Sequence, residues 1–178
     1  GFSHYFPDLK TEFEVIPNGF DVNFWSVNVA KESGLFLSVF SESQFYLKGG
    51  DLIFEVARKL PDLRFEIVGC NAPNLSIPDN VVFKGSLSPD ELKSCYERAQ
   101  YYMQLSSYEG FGCSLAEAML CGCVPIVSSV NILPEIIGNA GYVLERKDSQ
   151  MLKELIKEVL VDSKKGESFG RDRIIENY

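Results

Sequence analysis

The sequence predicts an α/β domain: a Rossmann-like, doubly wound parallel sheet with helices on both faces. Three observations carry this. From residue 35 to residue 162, short apolar stretches alternate with amphipathic ones, the pattern of strands joined in parallel by crossover helices. The turns after those strands (Lys48-Gly49-Gly50-Asp51, Gly69 to Pro73, Lys84-Gly85 and residues 106–113) each contain glycine, and all but the second also carry charge. In an open parallel sheet such turns gather at one edge, where ligands bind. Finally, 178 residues of which 46% are hydrophobic suffice for one sizeable core.

Each element has its own signal. Leu35 to Phe40 is apolar and bounded by Gly34, as a buried strand should be. Gly49-Gly50-Asp51 opens a helix whose inner face is Leu52, Ile53, Val56, Ala57 and Leu60, ended by Pro61. Leu63 to Val68 and Val81 to Phe83 read as strands flanking a Pro-rich polar connection. Ser88-Pro89-Asp90-Glu91 combines a capping box with Pro at the first helical position. Tyr101 to Leu105, helix 113–121 and Val124 to Ser128 repeat the unit, and Leu133-Pro134-Glu135 starts a short helix. Tyr142 to Leu144 is a further strand, and helix 149–162 carries Leu152, Leu155, Ile156, Val159 and Leu160 on one face.

The ends differ in character. Residues 1–34 hold the turn signal Pro17-Asn18-Gly19-Phe20-Asp21 after the short apolar pair Val15-Ile16, without a helix of any length. They are expected to lead into the domain proper, 35–162. Residues 163–178 are charged and end without a terminating signal. The chain is therefore expected to be a domain excised from a longer protein.

Charge and cysteine usage exclude several function classes. Lys plus Arg number 17 against 25 for Asp plus Glu, a net charge of −8, and no basic stripe offsets it, so no nucleic-acid partner is expected. No apolar run reaches membrane-spanning length and no signal peptide opens the chain. Five cysteines (70, 95, 113, 121 and 123), an odd and unframed set, favour a reducing, cytoplasmic compartment. Cys121-Gly122-Cys123 resembles half of a metal loop, but the single histidine, His4, is remote; buried thiols are the expectation, and no metal.

The most informative run is Glu109-Gly110-Phe111-Gly112-Cys113-Ser114-Leu115-Ala116-Glu117, continued by Ala118-Met119 and Cys121-Gly122. Two glycines let the backbone approach a ligand, and the helix N-terminus that follows favours anions. One carboxylate stands on the loop and another a turn into the helix, so both can flank one polyhydroxylated, phosphate-bearing molecule. A dinucleotide fingerprint would need Gly or Ala where Leu115 stands, and an acidic residue closing the next strand, where Glu135 opens a helix instead. A third reading keeps the run as a Gly-rich turn whose Glu117 only caps the helix.

Together with four further stretches, this run resembles the C-terminal, donor-binding domain of the retaining glycosyltransferases of family 4, which have the two-domain GT-B fold. The stretches are Ile16-Pro17-Asn18-Gly19 with Asp21; Lys48-Gly49-Gly50-Asp51-Leu52; Ile67-Val68-Gly69; and Val82-Phe83-Lys84-Gly85, with Pro134-Glu135 and Gly141 continuing the series. The resemblance covers residues 13–162. It implies that Glu117 binds the ribose and Glu109 the hydroxyls of the transferred sugar. Backbone N–H groups from Gly110, Phe111, Gly112, Cys113 and Ser114 would then hold sugar oxygens and the distal phosphate. Lys48 would neutralise the diphosphate leaving group, Phe83-Lys84-Gly85 would meet the base through backbone contacts, and Gly69 would belong to the donor site. For Lys48 and Lys84 a solvated lysine, and for Glu135 a simple helix cap, remain open beside these roles.

The implied function is transfer of a hexose-type sugar from a nucleotide diphosphate sugar to a hydroxyl on a glycan or lipid-linked acceptor, with retention and without metal or cofactor. The acceptor site would belong to an N-terminal domain that this chain lacks, which could also hold the enzyme at the inner face of a membrane in polysaccharide biosynthesis. Two departures stand out. Where the family has Gly-Arg after the first strand, this chain has Phe40-Ser41, and Asn131-Ile132-Leu133 replaces the glycines before Pro134-Glu135. Two alternatives stay open: a degenerate nucleotide-binding module, for which the missing arginine is the best support, and a nucleotide-sugar epimerase or hydrolase on the same fold, which would need its own acid–base residues.

Overall fold

The computed structural model describes residues 16–162 and 167–178. His4 and Val15 lie outside the described residues, and from Ile16 the chain runs as coil, with a turn at residues 22–24. The sheet is six-stranded and wholly parallel. In chain order its elements are β1 (Glu32–Val39), α1 (Gly50–Lys59), β2 (Arg64–Val68), β3 (Val81–Phe83), α2 (Pro89–Arg98), β4 (Ala99–Gln104), α3 (Cys113–Leu120) and β5 (Val124–Ser128). They continue with α4 (Leu133–Ile137), β6 (Tyr142–Leu144), α5 (Ser149–Val161) and α6 (Glu167–Asn177). Strand order is β3-β2-β1-β4-β5-β6, so the expected doubly wound sheet is the one found. Among the described residues no helix is long and apolar enough to cross a membrane.

Alternation along β1 decides which helices lie on which face, because successive side chains in a strand point to opposite sides. Phe36 faces one way and stacks between Phe65 of β2 and Tyr101 of β4, with ring centroids 5.3 and 4.6 Å away. Helices α1 and α5 close this layer with Leu52, Ile53, Val56 and Leu152, Ile156, Val159. Leu35 and Leu37 face the other way, onto Tyr96 of α2, Leu115 and Met119 of α3, and Ile136 of α4. Leu160, expected on the inner face of α5, is 40% exposed: the buried stripe runs 152, 156, 159, and residue 160 is rotated off it.

Two further differences are informative. β1 begins at Glu32, three residues before its apolar run, because Glu32 accepts from Arg64 (2.7 Å) and Arg98 (2.8 Å) and the Gly34 N–H donates to Gln100 (2.9 Å). Strand formation there rests on partners distant in sequence. Helix α6, within a segment that gives no periodic apolar signal, is fixed by its arginines. The Arg171 guanidinium donates to the carbonyls of Val22, Trp25 and Leu120 at 2.6–2.8 Å, and Arg173 donates to those of Glu135 and Ile136. Both satisfy carbonyls at helix C-termini, where positive charge is also favoured by the helix dipole.

Arg171 thereby ties the segment before β1, the end of α3 and α6 into one unit. Arg171→Met, which keeps the apolar stem, should lower unfolding free energy by about 1.5–3 kcal/mol, the range for hydrogen bonds to a charged group. Urea denaturation checks this; a midpoint equal to wild type would mean that α6 is held by Ile174 and its neighbours alone.

Candidate functional site

β1 and β4 are adjacent, and their connections leave in opposite directions along the sheet. This switch point is where an open parallel sheet forms a crevice at its carboxyl edge. The loop after β1 and the loop after β4 meet there. Gly49, with φ +79°, lies so close to Leu105 that a Cβ would fall 2.8 Å from its carbonyl oxygen, so only glycine fits. The Ser107 N–H donates to the Leu47 carbonyl at 2.8 Å. With the loops locked together, Lys48 Nζ reaches Glu109 Oε2 at 2.5 Å, each side chain 13% exposed.

The two oxygens of Glu109 are unequally used. Oε2 accepts from Lys48, from Gln104 Nε2 at 2.5 Å and from Ser106 Oγ at 3.2 Å. Among the described residues, Oε1 accepts from the Gly110 N–H alone, at 3.2 Å. Burial pushes the Glu109 carboxyl up, but Lys48, Gln104 and Ser106 together outweigh it and hold it below its ordinary value. It is thus an ionised group, an acceptor only, with one oxygen left for a ligand hydroxyl. Asn131 steadies the loop from beneath: at φ +47°, a left-handed conformation that Asn tolerates, its Nδ2 donates to the Glu109 carbonyl at 2.8 Å. Asn131, which departs from the pattern that the sequence resembles, therefore holds the turn.

Helix α3 begins directly after the turn, with Gly112 as N-cap at φ +95°. Gly110 has open space where a side chain would stand. Cys113 is exposed and its sulfur accepts from Asn18 Nδ2 at 3.2 Å, and Ser114 is half-buried in the first turn of α3. The Phe111 ring packs between those of Phe20 and Tyr178, 6.0 and 5.4 Å between centroids. Glu117 stands one turn into α3, half-buried, and accepts from the Tyr96 hydroxyl at 3.3 Å. Burial raises its carboxyl above the ordinary value, and Tyr96 only partly offsets this. A helix N-terminus favours a negative charge, but here desolvation outweighs it.

The other expected residues lie at the same edge but are largely engaged. The Gly69 N–H donates to the Gly85 carbonyl at 2.7 Å, and its missing side chain makes room for the Phe40 backbone. The Phe83 ring packs edge-on against Phe54. Lys84 pairs with Glu66 at 3.5 Å within a network that also contains Arg98 and Glu32. Ser41 opens a 3-10 turn, Glu42–Gln44, its hydroxyl 3.2 Å from Gln44 Oε1. Glu135 is exposed in the first turn of α4.

Sequence reasoning missed Gln104, Ser106 and Tyr96. Only Gln104 leaves a trace, a polar residue closing an otherwise buried strand. Among the described residues no group of three or more His, Cys, Asp or Glu side chains converges as a metal site requires. Cys121 and Cys123 are buried, and Cys123 Sγ donates to the carbonyls of Tyr96 and Ala99.

Comparison with known proteins identifies the family of the chain. The family described as glycosyl transferases group 1 matches residues 21–174. The O-antigen chain mannosyltransferase B of Escherichia coli is 35% identical over 80 residues, 45% of this chain and 21% of that protein. The GDP-mannose:cellobiosyl-diphosphopolyprenol alpha-mannosyltransferase of Xanthomonas oryzae is 26% identical over 145 residues, 74% of this chain and 38% of that protein. The chain thus spans well under half the length of these relatives. Among solved structures, the sucrose-phosphate synthase of Thermosynechococcus elongatus superposes with a TM-score of 0.79 at 22% identity, over 92% of this chain and 48% of that one. The C-terminal domain of a group 1 glycosyl transferase from Francisella tularensis gives 0.71 at 22% identity, over 90% and 98%. By its family match and by a fold shared with the C-terminal half of GT-B enzymes, the chain belongs to the glycosyl transferases group 1 family.

Proposed function

We propose that this domain binds the nucleotide-sugar donor of a retaining glycosyltransferase that moves a hexose to a hydroxyl on a glycan or lipid-linked acceptor. The observation that carries the reading is the pair of carboxylates around the start of α3. Glu109 is ionised with one oxygen open to a hydroxyl, and Glu117 waits a turn deeper beside Tyr96. A sugar ring and a ribose both present vicinal hydroxyls to such acceptors. The diphosphate between them would lie against the N–H groups of α3, where an anion is stabilised. Lys48 spends one of its N–H groups on Glu109, which leaves others for phosphate oxygens.

In this reading the leaving diphosphate takes up negative charge as the glycosidic bond breaks, and Lys48 with the helix N–H groups stabilises it while the acceptor attacks from the same face. No metal takes part. The acceptor side belongs to an N-terminal GT-B domain, and the enzyme works in the cytoplasm or at the inner face of a membrane. Several relatives are mannosyltransferases, one named for GDP-mannose, and a GT-B structural neighbour was solved with UDP-glucose; these are the first donors to test. Calorimetry against GDP, UDP and their sugars is the direct experiment. A second reading, a module that binds nucleotide without transfer, is favoured by Ser41, which occupies the place of the family's arginine.

Retaining Glu117 where burial disfavours its charge fits a ligand-binding role. Glu117→Ala should weaken nucleoside diphosphate binding by about 1.5–3 kcal/mol, whereas intact affinity with a lowered melting temperature would return Glu117 to a capping role. Glu117→Gln should bind as poorly but be the more stable protein near neutral pH. The wild-type carboxyl has a folded-state pKa above its unfolded value, so it is costless below the ordinary carboxylate range. Its penalty grows as pH rises through the folded value. Melting curves of the two proteins should therefore coincide in acid and separate towards neutrality.

The remaining expectations concern catalysis. These 178 residues alone, given a matched donor and acceptor, should form no glycoside; steady turnover would overturn the need for a second domain. In the two-domain enzyme, Ser41→Arg adds a cation beside the leaving group and should raise the rate at saturating donor by up to about a hundredfold. An unchanged rate with brisk wild-type turnover would mean that the charge is already met from elsewhere.

A further inference from the structure

Under the glycine turn runs a buried polar chain that the donor reading leaves unused. Gln104, the last residue of β4, is 4% exposed, and Tyr101, Tyr102 and Met103 before it are also buried. Both ends of its amide are fixed. The Tyr102 hydroxyl donates to Oε1 at 2.8 Å, while Nε2 donates to Glu109 Oε2 at 2.5 Å and to Ser106 Oγ at 3.3 Å. The Tyr102 ring packs edge-on against Tyr96, 5.8 Å between centroids, and the Tyr96 hydroxyl donates to Glu117 at 3.3 Å.

A buried amide costs free energy unless its hydrogen bonds are made, and an apolar side chain would fill this position without that risk. Here none is left unmade: among the described residues every buried side-chain nitrogen and oxygen has a partner. The orientation is also forced. Tyr102 is fully buried and stays protonated, so it has a proton to give. If the amide turned over, its NH2 would meet the Tyr102 hydroxyl and its carbonyl oxygen would oppose the Glu109 carboxylate.

We propose that Gln104 is a positioning residue for Glu109, its amide turned by the acceptor-only carboxylate and held at its oxygen by the Tyr102 hydroxyl, so that Oε2 is saturated from inside and Oε1 is presented to a hydroxyl of the donor sugar. This rests on the reading of the turn as a donor site. Lys48 and Ser106 also bind Oε2, but Lys48 is shared with the ligand and Ser106 gives the longest contact. Gln104 is the donor whose direction the strand itself fixes. Recognition of the sugar, as distinct from the nucleotide, therefore depends on a side chain that touches neither.

The test is calorimetry on the chain with GDP and GDP-mannose, and with UDP and UDP-glucose, comparing each sugar nucleotide with its own diphosphate. In Gln104→Met, which preserves volume, the advantage of the sugar nucleotide should fall at least fivefold while affinity for the diphosphate stays within twofold. Tyr102→Phe should move the same ratio in the same direction by less, and it keeps the proposal testable if Gln104→Met does not fold. Equal losses on both ligands would assign Gln104 a merely structural role, and an unchanged ratio would leave it no role in positioning; either overturns the proposal. A wild-type chain that shows no sugar advantage with either pair would instead overturn the donor reading on which the proposal stands.

Discussion

Gly49 against Leu105 is the contact on which the rest of the site depends. A parallel sheet whose order reverses between β1 and β4 necessarily splays the loops after those strands to opposite sides. Only a backbone-to-backbone approach, with no Cβ between, brings them back together. Once Gly49 is seated, the Leu47 carbonyl takes the Ser107 N–H and Lys48 is delivered to Glu109. Chain segments some sixty residues apart are thereby fixed at hydrogen-bond precision. The glycine matters less for its own flexibility than for the ion pair that its absence of a side chain permits.

The two carboxylates show how the same helix start supports opposite electrostatic states. Glu109 sits on the loop, where a lysine, an amide and a hydroxyl converge, and its charge is stabilised. Glu117 lies on the buried wall with a single phenol for company, and its charge is penalised. Proximity to a helix N-terminus does not decide either case. What decides is how many donors compensate for the water removed. One carboxylate of the turn is therefore held ionised, and the other carries a cost of burial that folding alone does not recover.

Much of the fold's irregular stability comes from side chains that satisfy main-chain carbonyls. Arg171 and Arg173 do this for α3, α4 and the segment before β1, and Lys31 does it at the end of α3 through the Cys121 carbonyl. Asn80 donates to the carbonyls of Ala57, Leu60 and Leu63 where α1 ends. Each contact joins parts of the chain with no local sequence relation, which is why α6 is ordered although its own apolar content is slight. A periodicity argument sees only what a helix buries along its length, and among its described side chains, 169–177, α6 buries only Gly170 and Ile174.

By itself the sequence determined the alternation of strands and helices, the parallel sheet, the caps at Ser88 and the glycine turn flanked by Glu109 and Glu117. These follow from period, turn chemistry and capping, which act over a few residues. It could also mark Lys48, because a lysine before Gly-Gly at a helix start is visible locally. Tertiary structure alone decided that Lys48 is joined to Glu109, that Lys84 is held by Glu66, that Asn131 supports the turn and that Gln104 lies behind it. It also decided which oxygen of Glu109 stays open. Those facts depend on which strands are neighbours and on which face each residue emerges, and an amide at the end of a strand reads the same in sequence whether it meets water or a carboxylate.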